Sequence, residues 1–265
     1  MNIYAVSDLH VDYPENRQWV ARLAESCHRD DVLIVAGDVS DQTDLLEETL
    51  RTLKSGFKHV CFVPGNHDLW TCDEYDCSLQ KFEALQTLCQ RLGVETGVLH
   101  LDSVSIIPLH SWYDFSFGEP DRYLRRAWRD FRACHWPAPL HNEAELTKYF
   151  LALNEAHLQL SNDTVISFSH FLPHLDVMPA QIPEHRRKVY PVLGSNKLGE
   201  QLRRLQPDIH VYGHSHVNRD IELDDIRFIN NAFAYPAEHR IARKQLHLVY
   251  QAAAITQSES KEDSQ

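Results

Sequence analysis

The sequence has no long apolar run and no excess of positive charge. No stretch approaches the roughly 20 apolar residues that a membrane-spanning helix needs, so we predict no membrane segment. The first residues enter a strand pattern with no basic segment or cleavage site, so we expect a cytoplasmic protein. The net charge of -12 argues against nonspecific nucleic-acid binding, which requires lysine and arginine to meet phosphates.

The cysteines show no metal-binding or redox spacing. None of the six forms a CxxC pair, which argues against a zinc finger. Cys61 lies in an apolar run and should pack as a small hydrophobic residue. Cys72 and Cys77 share a polar loop that could hold a disulfide, although a cytoplasmic setting favours reduced thiols. Histidine is abundant instead, and the 17 imidazoles indicate metal or acid–base chemistry.

Apolar strand runs alternate with amphipathic helix patterns along the chain. The short spacing between them predicts parallel βαβ units, and the residues after about 212 indicate antiparallel strands. Strands are predicted at residues 3–7, 31–36, 60–63, 95–101, 104–109, 164–169 and 208–212. Helices are predicted at about residues 15–28, 43–54, 79–92, 143–160 and 197–205.

We predict one domain over residues 1–250, because no repeat or composition break divides the chain. Residues 251–265 are poor in apolar side chains and are predicted to be a disordered tail.

The segment at about residues 110–142 differs from the rest of the chain. It interleaves aromatic residues with arginines and should contain a helix near residues 121–134. We interpret it as an inserted cap whose aromatics mostly pack on the core, with one or two shaping a substrate pocket. Its aromatic residues are Trp112, Tyr113, Phe115, Phe117, Tyr123, Trp128, Phe131 and Trp136, and its arginines are Arg122, Arg125, Arg126, Arg129 and Arg132.

Polar side chains follow five of the predicted strands, at the point where each strand ends. The carboxyl ends of strands are where α/β proteins place their chemistry, so we expect these groups to gather at one edge. A lone histidine after a strand is usually structural, but five such clusters in one chain point to function. The clusters are Asp8/His10, Asp38/Asp41, Asn66/His67/Asp68, His170 and His214/His216.

The donor set combines carboxylates, imidazoles and one amide, with no thiolate. Carboxylates gathered at one edge would repel each other unless cations lie between them. Imidazole with carboxylate suits Mn, Fe or Zn better than Ca or Mg. The sequence therefore predicts a site for two metal ions.

The order of these motifs resembles that of the calcineurin-like metallophosphoesterases. The resemblance covers about residues 3–218 and rests on Asp-x-His, Gly-Asp-x-x-Asp, Gly-Asn-His-Asp, a lone His and Gly-His-x-His in that order. It implies an α/β fold in which two mixed sheets are flanked by helices, a four-layer αββα sandwich. It also implies a metal-dependent hydrolase that cleaves phosphoesters by attack of a metal-bridging hydroxide.

The resemblance assigns a role to each motif residue. Asp38 would bridge the two metals, His67 would contact the phosphate or protonate the leaving group, and Asp41 would orient His67. The other ligands would be Asp8, His10 and His216 for the first metal and Asn66, His170 and His214 for the second.

One departure bears on the substrate. Gln42 stands where the protein phosphatases of the superfamily have an arginine that contacts phosphate. This favours a small-molecule or nucleotide phosphoester as substrate, with monoester or diester left open. Basic residues at 122–132, or Arg186, Arg187 and Lys188, are alternative phosphate contacts or solvated surface.

Two other functions compete with this one. A catalytically silent metal-binding scaffold could keep the same fold, although the complete motif set disfavours it. A nuclease is disfavoured by the net charge, although the arginines of the insertion form a local basic patch.

Overall fold

A computed structural model describes residues 1–26 and 28–252 of the chain. Within these ranges ten strands form two sheets. The strands are β1 (Asn2–Val6), β2 (His28–Ala36), β3 (Phe57–Val63), β4 (Leu99–Leu101), β5 (Val104–Pro108), β6 (Thr164–Phe168), β7 (Ile209–Tyr212), β8 (Arg219–Leu223), β9 (Ile226–Asn230) and β10 (His247–Gln251).

Seven α-helices connect and cover the sheets in the described residues, together with short 3-10 helices at His67–Leu69, Glu155–His157, Leu175–Val177 and Glu184–Val192. The helices are α1 (Pro14–Ala24), α2 (Thr43–Gly56), α3 (Ser78–Leu92), α4 (Arg122–Ala127), α5 (Asp130–Ala133), α6 (Glu143–Asn154) and α7 (Asn196–Leu205).

Both sheets are mixed. The first has the order β10-β1-β2-β3, with β10 antiparallel to β1 and the other pairs parallel. The second has the order β4-β5-β6-β7-β9-β8, in which β5, β6, β7 and β9 are parallel and the two edge strands are antiparallel to their neighbours. The parallel strands of each sheet therefore have their carboxyl ends along one edge of that sheet.

The two sheets pack face to face, and helices cover both outer faces. Strand β2 shows why, since its side chains alternate between two apolar layers. Val32 and Ile34 pack between the sheets, whereas Leu33 and Val35 join the layer beneath α1, α2 and α3. A further layer lies between the second sheet and helices α6 and α7. Burial on both faces explains the continuous apolar runs in the sequence, and the predicted αββα sandwich is confirmed.

Several predicted boundaries were wrong, three of them by four residues or more. The helix predicted to reach residue 28 ends at Ala24, because His28 pairs with Phe57 at the start of β2. The helix predicted at 143–160 ends at Asn154 and continues as a 3-10 turn. The strand predicted at 95–101 contains only residues 99–101.

The insertion packs on the main core. Trp112 and Tyr113 are buried in the layer that covers the first sheet, as expected for most of its aromatics. The single helix predicted near residues 121–134 is instead two short helices, α4 and α5, because Trp128 adopts an extended conformation between them. Asp121 caps α4 by accepting a hydrogen bond from the Leu124 backbone N–H at 2.7 Å.

Strand β10 ends at Gln251, one residue past the predicted domain limit, and pairs there with Asn2. The rest of the predicted tail, residues 253–265, lies outside the described residues, as does Cys27. Cys72 and Cys77 are free thiols, and Cys61 is buried between the sheets. In the described ranges, no helix has the length and apolarity needed to cross a bilayer.

Two leucines on helices test how far stability depends on the helix–sheet layers. Leu50 on α2 is fully buried, whereas Leu153 on α6 is 39% exposed. We expect Leu50→Ala to lower the free energy of unfolding by about 2–5 kcal/mol, because it leaves a cavity. Leu153→Ala is the matched control, since the helix propensity changes equally, and should cost less than about 1 kcal/mol. Urea unfolding of both variants at fixed metal content measures the difference, and equal losses would contradict the assigned packing.

Candidate metal centre

The five polar motifs meet at one edge of the sandwich. Asp8, Asp38 and Asn66 follow β1, β2 and β3 of the first sheet, whereas His170 and His214 follow β6 and β7 of the second. Because these strands are parallel within each sheet, their carboxyl ends lie together. The structure therefore brings together residues that are as many as 206 positions apart in the chain, as Asp8 and His214 are.

The backbone at this edge is strained. Five non-glycine residues have positive φ angles between 41° and 66°, a region that side chains other than glycine rarely adopt. Such residues cluster at functional sites, where the surrounding structure holds them in place. They are Asp8, His10, Asp38, His214 and His216.

Two glycines let the motifs approach each other closely. A Cβ atom on Gly65 would lie 2.2 Å from Asp38 Oδ1, and one on Gly37 would lie 2.5 Å from His170 Nδ1. Gly37 also has a φ of 81°. Any larger residue at either position would therefore push a carboxylate or an imidazole out of the site.

One group of donor atoms comes from Asp8, His10 and His216, and these atoms lie within 4.8 Å of one another. His216 Nε2 is 3.1 Å from His10 Nε2 and 3.2 Å from Asp8 Oδ1. The other ring nitrogen of His216 bonds to Glu238 Oε2 at 2.7 Å. Glu238 thus turns Nε2 toward Asp8, the role that carboxylates commonly play behind metal-binding imidazoles.

A second group comes from Asp38, His170 and His214, again within 4.8 Å of one another. His170 Nε2 lies 3.0 Å from Asn66 Oδ1 and 3.0 Å from His214 Nδ1. His170 Nδ1 donates to the carbonyl of Ala36 at 2.9 Å, and His214 Nε2 donates to the carbonyl of Val192 at 3.0 Å. These two carbonyls fix which nitrogen of each ring carries the proton.

The second group consists of atoms that can only accept. Burial lowers the pKa of His170 and of His214, so each ring is neutral and its inward nitrogen presents a lone pair. Asn66 Nδ2 donates to Asp130, which leaves Asn66 Oδ1 facing the two lone pairs. Acceptors at 3.0 Å with no proton between them repel each other unless a cation lies among them. The donor set therefore fits a metal ion.

Asp38 lies between the two groups. Its Oδ1 is 3.5 Å from His170 Nε2, and its Oδ2 is 3.9 Å from His10 Nε2. Burial, with repulsion from Asp8 and Asp68, raises the pKa of Asp38 well above its ordinary value. A carboxylate so placed is costly to ionise without nearby cations.

The first group differs in its electrostatics. Burial lowers the pKa of His10 well below its usual range. Burial acts in the same direction on His216, but Asp8 and Glu238 outweigh it and raise its pKa to about 9. His216 therefore carries a proton opposite the Asp8 carboxylate at neutral pH, and a metal ion would displace that proton.

Asp68, for which no role was predicted, organises the loop that carries Asp38. Its carboxylate accepts backbone hydrogen bonds from four residues at 2.8–3.0 Å. The donors are the N–H groups of Gly65, Asp38, Val39 and Ser40. One buried side chain thus joins the loops after β2 and β3.

Asp130 of the insertion is a second residue that the sequence analysis missed. Its Oδ1 accepts from Asn66 Nδ2 at 2.9 Å and from Trp70 Nε1 at 2.7 Å, and its Oδ2 accepts from Trp128 Nε1 at 2.7 Å. These contacts orient the Asn66 amide. The available signal was the one carboxylate among the arginines of residues 122–132, next to a tryptophan that needs an acceptor when buried.

His67 and Asp41 lie in the same cavity, but no hydrogen bond joins their side chains in the described structure. The His67 ring stacks on Trp70 with centroids 3.7 Å apart, and its Nε2 is 3.9 Å from Asp38 Oδ2. The Asp41 carboxylate is 3.4 Å from Arg129 Nη2 instead. The structure thus places His67 beside Asp38. It places Asp41 at the rim of the cavity.

The cavity above these residues has a volume of about 500 Å³. Trp70, Trp128 and Tyr235 form apolar parts of its wall, and Arg129 contributes a guanidinium. Arg129 also stacks over Trp70, with its Cζ 4.1 Å from the ring centre. Among the basic residues proposed as phosphate contacts, Arg129 lines this cavity, whereas Arg186, Arg187 and Lys188 do not.

The chain is similar in sequence and in structure to a known phosphodiesterase. The chain is 28% identical over 268 residues to the [acyl-carrier-protein] phosphodiesterase PptH of Mycobacterium tuberculosis, which covers 90% of this chain and 79% of the relative. The crystal structure of phosphopantetheinyl hydrolase (PptH) from the same organism superposes with a TM-score of 0.77 at 27% identity, covering 95% of this chain and 98% of that one.

The family comparison covers the five motifs together. The family model of the calcineurin-like phosphoesterases matches residues 1–218, the region in which all five motifs lie. These enzymes use metal ions to hydrolyse phosphoester bonds, and the clusters of histidine and aspartate described above could bind such ions. The chain belongs to the calcineurin-like phosphoesterase family.

Proposed function

We propose that this enzyme hydrolyses the phosphodiester that links a phosphopantetheinyl group to a carrier protein, with two metal ions at the carboxyl edge of the sandwich. The observation that carries the proposal is the pair of donor groups on either side of Asp38. The choice of substrate is supported by the likeness to PptH over nearly the full length of both structures.

The donor groups suggest which residues hold each metal. Asp8, His10 and His216 would bind one ion, and Asn66, His170 and His214 would bind the other. Asp38 would contact both through its two oxygens. Imidazole and carboxylate donors suit Mn, Fe or Zn. When bound, such ions neutralise phosphate charge and lower the pKa of water.

His67 would act on the phosphate and not on the metals. Burial, with neighbouring histidines, lowers the pKa of His67 well below its usual range, so the ring is neutral at pH 7. A neutral imidazole can donate one hydrogen bond to a phosphate oxygen. It is a poor proton source at that pH. We therefore favour hydrogen bonding by His67 over protonation of the leaving group, and Asp41 supports it only indirectly.

The reaction adds the oxygen of water to phosphorus and breaks the bond from phosphorus to the carrier's alcohol oxygen. That oxygen leaves with a proton, and the phosphopantetheine leaves as a phosphomonoester. Arg129 would contact a nonbridging phosphate oxygen from the cavity wall. It would replace the arginine that protein phosphatases of the superfamily have at the position of Gln42. Trp70, Trp128 and Tyr235 would contact the apolar part of the released group.

Substitution of Asp38 and His67 separates the metal site from the phosphate contact. We expect Asp38→Asn to lose both activity and metal. Its metal affinity should fall by more than the roughly 10–100-fold that is typical when a residue behind a ligand is replaced. His67→Ala should lower kcat by about 10²–10⁴-fold with metal content unchanged. Hydrolysis of bis(p-nitrophenyl) phosphate and elemental analysis measure the two properties.

His185→Ala is the matched control, since His185 is exposed and does not line the cavity. It should leave both properties unchanged. Loss of metal from His67→Ala as complete as from Asp38→Asn would show that His67 is a ligand.

Asp130 tests whether the insertion supports the metal site. Asp130→Asn replaces one acceptor with a donor that faces the indole and amide N–H groups, so the Asn66 amide should lose its orientation. We expect metal affinity to fall about 10–100-fold. Titration of metal-free protein with Mn measures it, with Asp163→Asn on the exposed surface as the control. Unchanged affinity would show that Asn66 needs no support from the insertion.

The substrate is tested directly with an acyl carrier protein that bears the phosphopantetheinyl group. Protein loaded with Mn, Fe or Zn should release the group, which mass spectrometry detects as a loss from the carrier. Carrier that stays intact while bis(p-nitrophenyl) phosphate is hydrolysed would reject this substrate but leave the phosphoesterase chemistry in place.

A further inference from the structure

One exposed surface of the insertion is basic and carries an exposed aromatic ring. It consists of Arg122, Tyr123 and Arg126 on helix α4, and we call it the α4 face. All three side chains are exposed, and Tyr123 reaches 74% exposure. Arginine and tyrosine are among the residues enriched at protein–protein interfaces.

The two arginines of the α4 face have no anionic partner in the described part of the chain. Other arginines of the insertion do, since Arg125 pairs with Glu119 and Arg129 pairs with Asp41. Arg122 and Arg126 are four residues apart and so lie on the same side of the helix, where like charges destabilise it slightly. This unfavourable pairing is uncompensated within the fold.

The α4 face adjoins the mouth of the cavity. Helix α4 ends at Ala127, and Ala127, Trp128 and Arg129 line the cavity above the metal site. Asp130 then fixes the insertion to Asn66. A macromolecule bound to α4 would therefore hold a tethered phosphodiester close to the donor groups.

The charge of the whole chain indicates the kind of partner. With a net charge of -12, most of the surface repels an acidic molecule. A basic surface beside the cavity would then orient such a molecule, because attraction is confined to one place. A basic partner would be repelled by these two arginines.

We propose that the α4 face docks an acidic surface of the carrier protein whose phosphodiester enters the cavity. This inference rests on the proposed function and adds the surface that recognises the protein part of the substrate. Docking there acts on the binding of the carrier and leaves the chemistry at the donor groups unchanged.

Charge reversal on the α4 face tests the inference. We expect Arg122→Glu with Arg126→Glu to raise KM for the phosphopantetheinyl carrier protein about tenfold at low salt, with kcat and the hydrolysis of bis(p-nitrophenyl) phosphate unchanged. The difference should shrink above about 0.1 M salt, where exposed charges are screened. Tyr123→Ala should raise KM in the same way but without the salt dependence.

The matched control is Arg186→Glu with Lys188→Glu, which makes the same change in charge on exposed residues outside the cavity lining. It should leave KM for the carrier unchanged. An equal rise in KM for both double variants would overturn the inference, because it would show a general charge effect.

Three further outcomes overturn it in different ways. If the unaltered enzyme cleaves the carrier and the α4 variant has the same KM, docking at α4 is wrong and the proposed function stands. If the unaltered enzyme hydrolyses bis(p-nitrophenyl) phosphate but not the carrier, the proposed function fails and the docking falls with it. Salt-dependent binding of single-stranded DNA that the α4 variant loses, with no cleavage of the carrier, would assign the face to nucleic acid.

Discussion

The site depends on the Asp38 carboxylate, which is buried between the two donor groups and forms no salt bridge with a lysine or arginine in the described residues. Its oxygens lie 3.5 Å from His170 and 3.9 Å from His10, and both rings are neutral through burial. A buried carboxylate that faces neutral imidazoles and receives one backbone hydrogen bond, from the His67 N–H at 2.9 Å, is unfavourable in a protein interior. The arrangement becomes favourable once cations lie between the groups, so metal binding and the stability of this edge should be linked.

The fold holds this unfavourable arrangement through contacts that lie behind it. Asp68 accepts four backbone N–H groups, and Glu238, Ala36 and Val192 each bind the outer nitrogen of a histidine. These contacts fix strained backbone and ring orientation before any metal arrives, so the donor atoms need little rearrangement to bind it.

The sequence predicted the donor groups better than the residues that support them. Asp8, Asp38 and His170 could be predicted because each comes two residues after the end of an apolar strand run, and parallel strands must end at one edge. Asp130 and Glu238 could not, since their partners Asn66 and His216 are 64 and 22 residues away and no local pattern marks the pairing. The role of Asp41 stays a prediction, because its carboxylate faces Arg129.

The insertion joins the wall of the cavity to the donor groups, because one short segment contributes to both. Trp128 breaks the segment into two helices and at the same time donates to Asp130, which holds the Asn66 amide. A single continuous helix would carry Trp128 and Arg129 along a straight axis. The break turns them into the cavity beside the amide. The break between α4 and α5, which made the prediction of a single helix wrong, thus lets one segment contact solvent, the cavity and the Asn66 donor group.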